Sequence, residues 1–174
     1  MELEVKYSVA FFPTEKIEDL GFIKKYSTHQ VDKYYIVDKL LQGKRTYLRV
    51  RNDLLTNISS LDLHQILSEL ATDEMEVELM TDDKRQNVER ILDIIGYPIL
   101  CIVDKMRDVY EKDNIKIILD TVKGLGKFIE IEIIDNETLE NRNKILDISN
   151  SLSLNDEMKV ENKGYPDLLL ESKL

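Results

Sequence analysis

Apolar and polar residues alternate along nine short segments of this chain, the pattern of half-buried β-strands. The predicted strands are 2–9, 23–28, 33–37, 46–51, 61–67, 74–79, 100–110, 115–122 and 127–134. Segments 82–95 and 137–152 instead follow the 3.6-residue period of amphipathic helices, and a short helix is predicted after Pro13. This succession, strand-rich with helices interspersed late, favours an α+β fold: a large antiparallel sheet or barrel with helices outside.

Charged residues in five of these strands lie two or four positions apart, so the members of each set share one face of their strand. The sets are Glu2, Glu4 and Lys6; Glu130 and Glu132; Arg49 and Arg51; Lys105 and Arg107; and Asp120 with Lys116. For a single strand, the ordinary interpretation is the solvated face of an antiparallel sheet. Taken together, two strands with carboxylate pairs and two with cation pairs indicate the polar lumen of a barrel of about eight strands, which is wide enough to hold one small ligand. The carboxylate pairs are Glu2 with Glu4 and Glu130 with Glu132.

Such a lumen suits the chemistry of a phosphorylated ligand. Clustered carboxylates repel one another unless a cation lies among them, and hard divalent ions such as Mg²⁺ prefer oxygen ligands. The candidate metal ligands are therefore Glu2, Glu4, Asp120, Glu130 and Glu132. Arginine and lysine bind phosphate oxygens through charge-assisted hydrogen bonds. The candidate phosphate-binding residues are Lys6, Arg49, Arg51, Lys105 and Arg107.

The amino-acid composition argues against several classes of partner and site. The 174 residues include 24 Lys and Arg against 34 Asp and Glu, a balance that argues against nonspecific nucleic-acid binding. The single cysteine, Cys101, excludes an internal disulfide scaffold and cysteine-based zinc sites. No apolar run approaches the length of a membrane span or a signal segment. We therefore expect one domain over residues 1–174, located in the cytoplasm, with no membrane or nucleic-acid partner.

A series of short motifs, in order along nearly the whole chain, resembles the CYTH or triphosphate tunnel family, which contains class IV adenylyl cyclases and thiamine triphosphatases. The opening Glu2-Leu3-Glu4-Val5-Lys6 matches the family's ExExK motif, a weak pattern when taken alone. The other matching segments are 32–35, 47–51, 76–78, 96–97, 104–107 with Tyr110, 119–122, 124–132 and 164–169. The ordered series is a much more specific signal than any one of its motifs.

The resemblance implies an eight-stranded antiparallel tunnel with helices packed outside, binding a triphosphate together with Mg²⁺ or Mn²⁺. It assigns the metal and phosphate roles to the same residues as the charge pattern, and catalysis to Glu2, Glu4, Lys6 and Tyr34. Tyr34 matches a tyrosine that helps to activate water in some triphosphatases. The expected activity is conversion of ATP to cyclic AMP and pyrophosphate, by a monomer or homodimer. Two alternatives stay open: hydrolysis of tripolyphosphate, thiamine triphosphate or a nucleoside triphosphate, and triphosphate or nucleotide binding without turnover.

Two positions depart from the family pattern. Where the family has a lysine in a Leu-Thr-x-Lys segment, this chain has Leu61-Asp62-Leu63-His64. Where the family has an arginine before its Glu-x-Glu strand, this chain has Glu74. Both changes predict a weaker cationic clamp on one side of the tunnel.

Overall fold

Eight strands and four α-helices form the part of the chain that the computed structural model describes, which is residues 2–35, 46–66, 71–79, 81–160 and 163–173. Side chains are described for all of these except residues 2, 64–66 and 71–74. The strands are β1 (Glu2–Val9), β2 (Ile23–Tyr35), β3 (Thr46–Asp53), β4 (Ser59–Ile66), β5 (Ala71–Leu79), β6 (Ile99–Lys112), β7 (Ile115–Val122) and β8 (Gly126–Ile133). The helices are α1 (Thr14–Asp19), α2 (Asp82–Ile94), α3 (Leu139–Ser151) and α4 (Tyr165–Glu171).

The strands pair antiparallel in the order β1-β5-β4-β3-β2-β6-β7-β8, with β1 also pairing with β8. The seam between β1 and β5 is short, because the described pairing there joins only Glu2 with Thr72 and Leu3 with Ala71. The β1–β8 ladder, in contrast, runs from Leu3 to Val9. The predicted antiparallel barrel is confirmed, with one narrow junction in its wall.

The apolar faces of the strands point outward, toward the helices. Leu3 of β1 and Ile129, Ile131 and Ile133 of β8 are fully buried in a cluster that includes Ile145 of α3. On another side, Leu92 of α2 packs with Tyr35 of β2 and Val50 of β3. The polar faces are left to line the barrel interior, here called the lumen.

The main correction to the predicted elements concerns β2. The sequence indicated two strands, 23–28 and 33–37, but a single strand runs from Ile23 to Tyr35 and pairs with β6 along its length. The polar residues Gln30 and Asp32, which interrupted the expected pattern, are buried on the lumen side. Residues 36 and 37 of the predicted strand lie outside the described residues.

The apolar segment near the C-terminus forms α4, which the sequence did not indicate as a helix. Gly164 precedes its first turn, and Pro166 occupies an early position where a missing N–H leaves no hydrogen bond unmade. Tyr165 and Leu169 pack with Val122 and Phe128 at one end of the barrel. None of the helices in the described ranges is long and apolar enough to cross a membrane.

Candidate active site

The lumen brings together the predicted site residues whose side chains are described. The strand register sets Lys6 opposite Glu130, Glu4 opposite Glu132, and Arg107 opposite Asp120. Residues directly opposite in an antiparallel ladder share a face of the sheet. The lumen residues are Glu4, Lys6, Tyr34, Arg49, Arg51, Lys105, Arg107, Asp120, Glu130 and Glu132. Glu2 begins β1 in the same alternation, but its side chain is outside the described set.

Lys6 lies between two carboxylates. Its Nζ is 2.9 Å from Glu4 Oε1 and 3.1 Å from Glu130 Oε1. Burial alone would lower the pKa of Lys6, but the attraction of Glu130 and Glu4 holds it above its ordinary value. One positive charge therefore already occupies the space between two of the predicted metal ligands.

Arg107 joins Glu130 to Asp120 and extends this ion-paired network. Its Nε donates to Asp120 Oδ1 at 2.8 Å, and its Nη2 donates to Asp120 Oδ2 at 2.6 Å and to Glu130 Oε2 at 2.7 Å. Burial would raise the pKa of Glu130, but Lys6 and Arg107 hold it well below its ordinary value. The two predicted sets of residues, acidic and basic, are thus interleaved rather than placed on opposed walls.

Two further carboxylates, which the sequence analysis did not assign to the site, pair with the arginines of β3. Arg51 makes a bidentate pair with Asp32, at 2.9 Å for both Nε–Oδ1 and Nη2–Oδ2. Arg49 Nε donates to Asp62 Oδ2 at 2.7 Å. Asp32 and Asp62 are both completely buried. The sequence carried a signal for each of them. Asp32 lies within the family-like segment 32–35, and Asp62 lies two residues before His64, so the two share a face of the predicted strand.

Lys105 is the least closely paired of the five candidate phosphate-binding residues. Its Nζ is 3.8 Å from both Asp32 Oδ2 and Asp120 Oδ2. At that separation the carboxylates do not offset burial and the repulsion of Arg107 and Arg51, which together lower the pKa of Lys105 to about 8. The charge of Lys105 therefore responds to pH just above neutrality.

Tyr165 of α4 also reaches the lumen, although the sequence analysis assigned it no role there. Its hydroxyl donates to Asp120 Oδ2 at 2.8 Å. The Nζ atoms of Lys6 and Lys105 lie 4.7 and 5.1 Å from its ring centroid, within cation–π range. Helix α4 thus closes one end of the barrel and supplies an aromatic surface beneath two of the cations.

Tyr34 is buried and makes an edge-to-face contact with Tyr47, with ring centroids 5.9 Å apart. Burial raises the pKa of the Tyr34 hydroxyl above its ordinary value, and the neighbouring Arg49 only partly opposes this. A phenolate at neutral pH is therefore disfavoured, which weakens the expectation that Tyr34 activates water. The register pairs His64 with Glu74, but both side chains lie outside the described set, so their effect on the clamp stays a prediction.

Among the residues with described side chains, no three carboxylate, imidazole or thiol groups already form a metal-binding cluster. The donors nevertheless fit a hard divalent ion, because Glu4 and Glu130 both contact one central cation and Glu132 lies opposite Glu4 in the ladder. The residues placed in the lumen above include five cations and six carboxylates. The cations are Lys6, Arg49, Arg51, Lys105 and Arg107, and the carboxylates are Glu4, Asp32, Asp62, Asp120, Glu130 and Glu132. The register sets further charged residues on the same face, among them Lys116 opposite Glu132, Glu76 opposite Asp62 and Asp53 opposite Gln30.

Three buried polar atoms in the described part of the chain lack a hydrogen-bond partner: Thr28 Oγ1, Gln30 Oε1 and Asp62 Oδ1. The register places Thr28 opposite Arg107, and Gln30 opposite Lys105. Buried polar groups in folded proteins nearly always have a partner in the protein or in ordered water, so each of these atoms can make one more hydrogen bond.

Comparison with known proteins agrees with this geometry. The CYTH domain family matches residues 1–163. The chain belongs to the CYTH family. A relative from Methanocaldococcus jannaschii, provisionally named an adenylate cyclase, is 26% identical over 133 residues, which cover 76% of this chain and 75% of that protein.

Solved structures of similar fold also superpose on this chain. The PH1012 protein of Pyrococcus horikoshii superposes with a TM-score of 0.86 at 29% identity, covering 97% of this chain and 99% of that one. HpAC1 from Hippeastrum is provisionally named an adenylyl cyclase and described as having a dominant triphosphatase activity. It superposes with a TM-score of 0.66 at 19% identity, covering 99% of this chain and 96% of that one. At 19% identity, the similarity to HpAC1 shows a shared fold only.

Proposed function

We propose that this CYTH protein is a metal-dependent enzyme that acts on an organic triphosphate, converting ATP to cyclic AMP and pyrophosphate. The observation that carries the proposal is the ion-paired lumen, where cations suited to phosphate and carboxylates suited to Mg²⁺ or Mn²⁺ neutralise one another. Such a network is costly to bury without a ligand, because desolvation offsets much of the Coulomb attraction. Ligand binding explains why the chain retains it.

In this proposal the cations exchange carboxylates for phosphate oxygens. Arg49, Arg51 and Arg107 can each present a planar fork to the triphosphate, and Lys6 and Lys105 add compact charges between them. The lumen alone carries no excess of positive charge, since the carboxylates on its face outnumber the cations. It therefore cannot balance a triphosphate by itself, which favours entry of the triphosphate together with divalent ions.

The carboxylates released by this exchange, Glu4, Glu130, Glu132 and Asp120, together with Glu2 at the start of β1, would hold the ions. The bound ions would neutralise the phosphates and lower the pKa of the attacking ribose hydroxyl. The arginines would align the triphosphate and stabilise negative charge on the departing pyrophosphate. Tyr165 would keep Asp120 oriented through its 2.8 Å hydrogen bond.

Hydrolysis of a triphosphate is the second candidate, favoured by the activity described for the Hippeastrum protein of similar fold. The same cations and carboxylates serve it, with water in place of the ribose hydroxyl. The two reactions differ in the atom that attacks the phosphate, and therefore in their products.

Incubation of the purified protein with Mg²⁺ or Mn²⁺ and, separately, ATP, GTP, thiamine triphosphate or tripolyphosphate tests the proposal. Chromatography should resolve cyclic AMP and pyrophosphate from ATP. Orthophosphate would instead favour hydrolysis, and tight binding with neither product would favour a binding module. Arg107→Met, prepared identically, controls for a contaminating phosphatase, because such an enzyme would be equally active in both preparations. Absence of both binding and turnover for every substrate would overturn the proposal.

A further inference from the structure

We propose that Asp62 binds a hydrogen-bond donor on the organic part of the substrate, a hydroxyl or amino group, and so selects a nucleoside triphosphate over inorganic tripolyphosphate. The inference rests on the proposed function and concerns the same lumen. The two carboxylate oxygens of Asp62 have different surroundings.

Asp62 lies on the lumen face of β4, opposite Arg49 of β3 and Glu76 of β5. Its Oδ2 accepts the hydrogen bond from Arg49 Nε at 2.7 Å. Its Oδ1 is buried and has no hydrogen-bond partner among the described residues. The backbone and Arg49 therefore fix the carboxylate in place while one of its oxygens stays available.

The chemistry of that oxygen limits what can bind it. An ionised carboxylate only accepts hydrogen bonds, and a phosphate oxygen next to it adds repulsion without supplying a donor. The unpartnered hydroxyl of Thr28 differs in this respect, because it can also donate to phosphate. Gln30 Oε1 only accepts, but the NH₂ of the same amide can donate. A ligand atom bound at Asp62 Oδ1 therefore belongs to a donor outside the triphosphate chain, or is a metal ion.

A metal ion is the less suitable occupant. Hard divalent ions need several oxygen ligands, but the two residues directly opposite Asp62 are one cation and one carboxylate, Arg49 and Glu76. Around Lys6, in contrast, Glu4 and Glu130 both contact one cation and Glu132 lies opposite Glu4. The arginine on Oδ2 also adds positive charge beside the position that a metal ion would take. A neutral hydroxyl or amino donor carries no such penalty.

The test compares two ligands that cannot be cleaved: the ATP analogue with methylene groups replacing both bridging oxygens, and the corresponding bis-methylene tripolyphosphate. Calorimetric titration with Mg²⁺ present measures both dissociation constants for the parent and for Asp62→Asn. The asparagine carbonyl can still accept from Arg49, but the amide NH₂ then faces the ligand and cannot accept. Asp62→Asn should reduce the preference for the nucleotide analogue by about tenfold or more, the size expected for a lost hydrogen bond to a charged group.

Asp32→Asn is the matched control. Asp32 is equally buried and paired with an arginine, but both of its oxygens are engaged by Arg51. This variant removes the same charge, so it should change the affinity for both ligands by a similar factor. An unchanged preference in Asp62→Asn, or an equal weakening of both ligands, would overturn the role of Asp62 and leave the proposed function standing. If neither ligand binds the parent, the proposed function fails, and this inference fails with it.

The parent protein provides a second test that does not depend on the variant folding. Bis-methylene ATP analogues lacking the 2′-hydroxyl, the 3′-hydroxyl or the adenine amino group each remove one donor. Loss of the group that contacts Asp62 should weaken binding to the parent by about tenfold, as for any lost charge-assisted hydrogen bond. Equal binding of all these analogues would contradict the assignment.

Discussion

The two faces of the barrel wall are both buried, but they are built from opposite chemistry. Outside, Ile129 and Ile131 of β8 are fully buried under α3 in an apolar cluster. Inside, Glu130 of the same strand is 4% exposed and lies between Lys6 and Arg107. The apolar face gains stability from burial itself, whereas the ionic face retains its charges only because each is paired. We infer that the outer face maintains the fold and the inner face serves the ligand.

The largest expected effect comes from unpairing the ionic face. Arg107→Met leaves Asp120 and Glu130 without their shared partner, which should lower the free energy of unfolding by about 3–5 kcal/mol. It should also abolish measurable triphosphate binding, because a phosphate contact is lost. Urea unfolding and calorimetric titration measure the two effects.

Lys144→Met is the control for that substitution. Lys144 also pairs with a carboxylate, that of Glu140, but it does so on the surface of α3, where the two side chains are 43% and 77% exposed. An exposed pair of this kind contributes only about 0–1 kcal/mol, so the control should unfold almost like the parent and bind triphosphate normally. Similar losses in both variants would contradict the distinction between the inner face and an ordinary surface.

Glu4→Gln should affect activity more than stability. Lys6 keeps its contact with Glu130 in this variant, so the unfolding free energy should change by about 1 kcal/mol or less. Turnover should fall by about 100-fold or more, since a lost metal ligand weakens the charge stabilisation that a metal supplies. Steady-state kinetics over a range of Mn²⁺ concentrations, with parallel unfolding curves, would distinguish the two roles. A large loss of stability with normal metal dependence would make Glu4 a structural residue instead.

A small change on the outer face should lower stability and leave ligand affinity unchanged. Ile131→Val removes one methylene group from the apolar cluster and should lower the unfolding free energy by about 0.5–1.5 kcal/mol. The dissociation constant for the bis-methylene ATP analogue should stay within experimental error of the parent value. A clear loss of affinity would mean that the two faces of the wall are not independent.

The sequence predicted which residues form the apolar face and which form the ionic face, because successive side chains of a strand point to opposite faces. It could not predict which carboxylate pairs with which cation, since the pairs depend on the register between strands distant in sequence, as for Arg107 with Glu130. Asp32 and Asp62 were missed as site residues for a related reason: each is a lone carboxylate in its strand, without a charged neighbour two residues away. Tyr165 was missed because its contact with Asp120 depends on how α4 docks against the barrel.

The smallest predicted effect is a change in bound protons. Lys105 has a pKa lowered to about 8, so just above that pH it is mostly neutral in the free protein. A bound triphosphate should raise that pKa, so binding at about pH 8.5 should take up part of one proton, and binding at about pH 6 should take up none at Lys105. Titrations in two buffers of different ionisation enthalpy measure the uptake. In Lys105→Arg the side chain stays charged at this pH, so the variant should take up fewer protons than the parent when it binds triphosphate. Equal proton uptake by parent and variant would mean that Lys105 is not the group that binds the proton.

We infer that the inner ion pairs exchange for metal and triphosphate, and a crystal structure with Mn²⁺ and the bis-methylene ATP analogue would show this exchange. Anomalous scattering would locate the manganese independently of the rest of the map. We expect manganese at coordinating distance from Glu130 and from Glu4 or Glu132, with Lys6 and Arg107 turned to phosphate oxygens. Manganese outside the lumen, or a lumen whose ion pairs stay intact beside a triphosphate bound elsewhere, would contradict it.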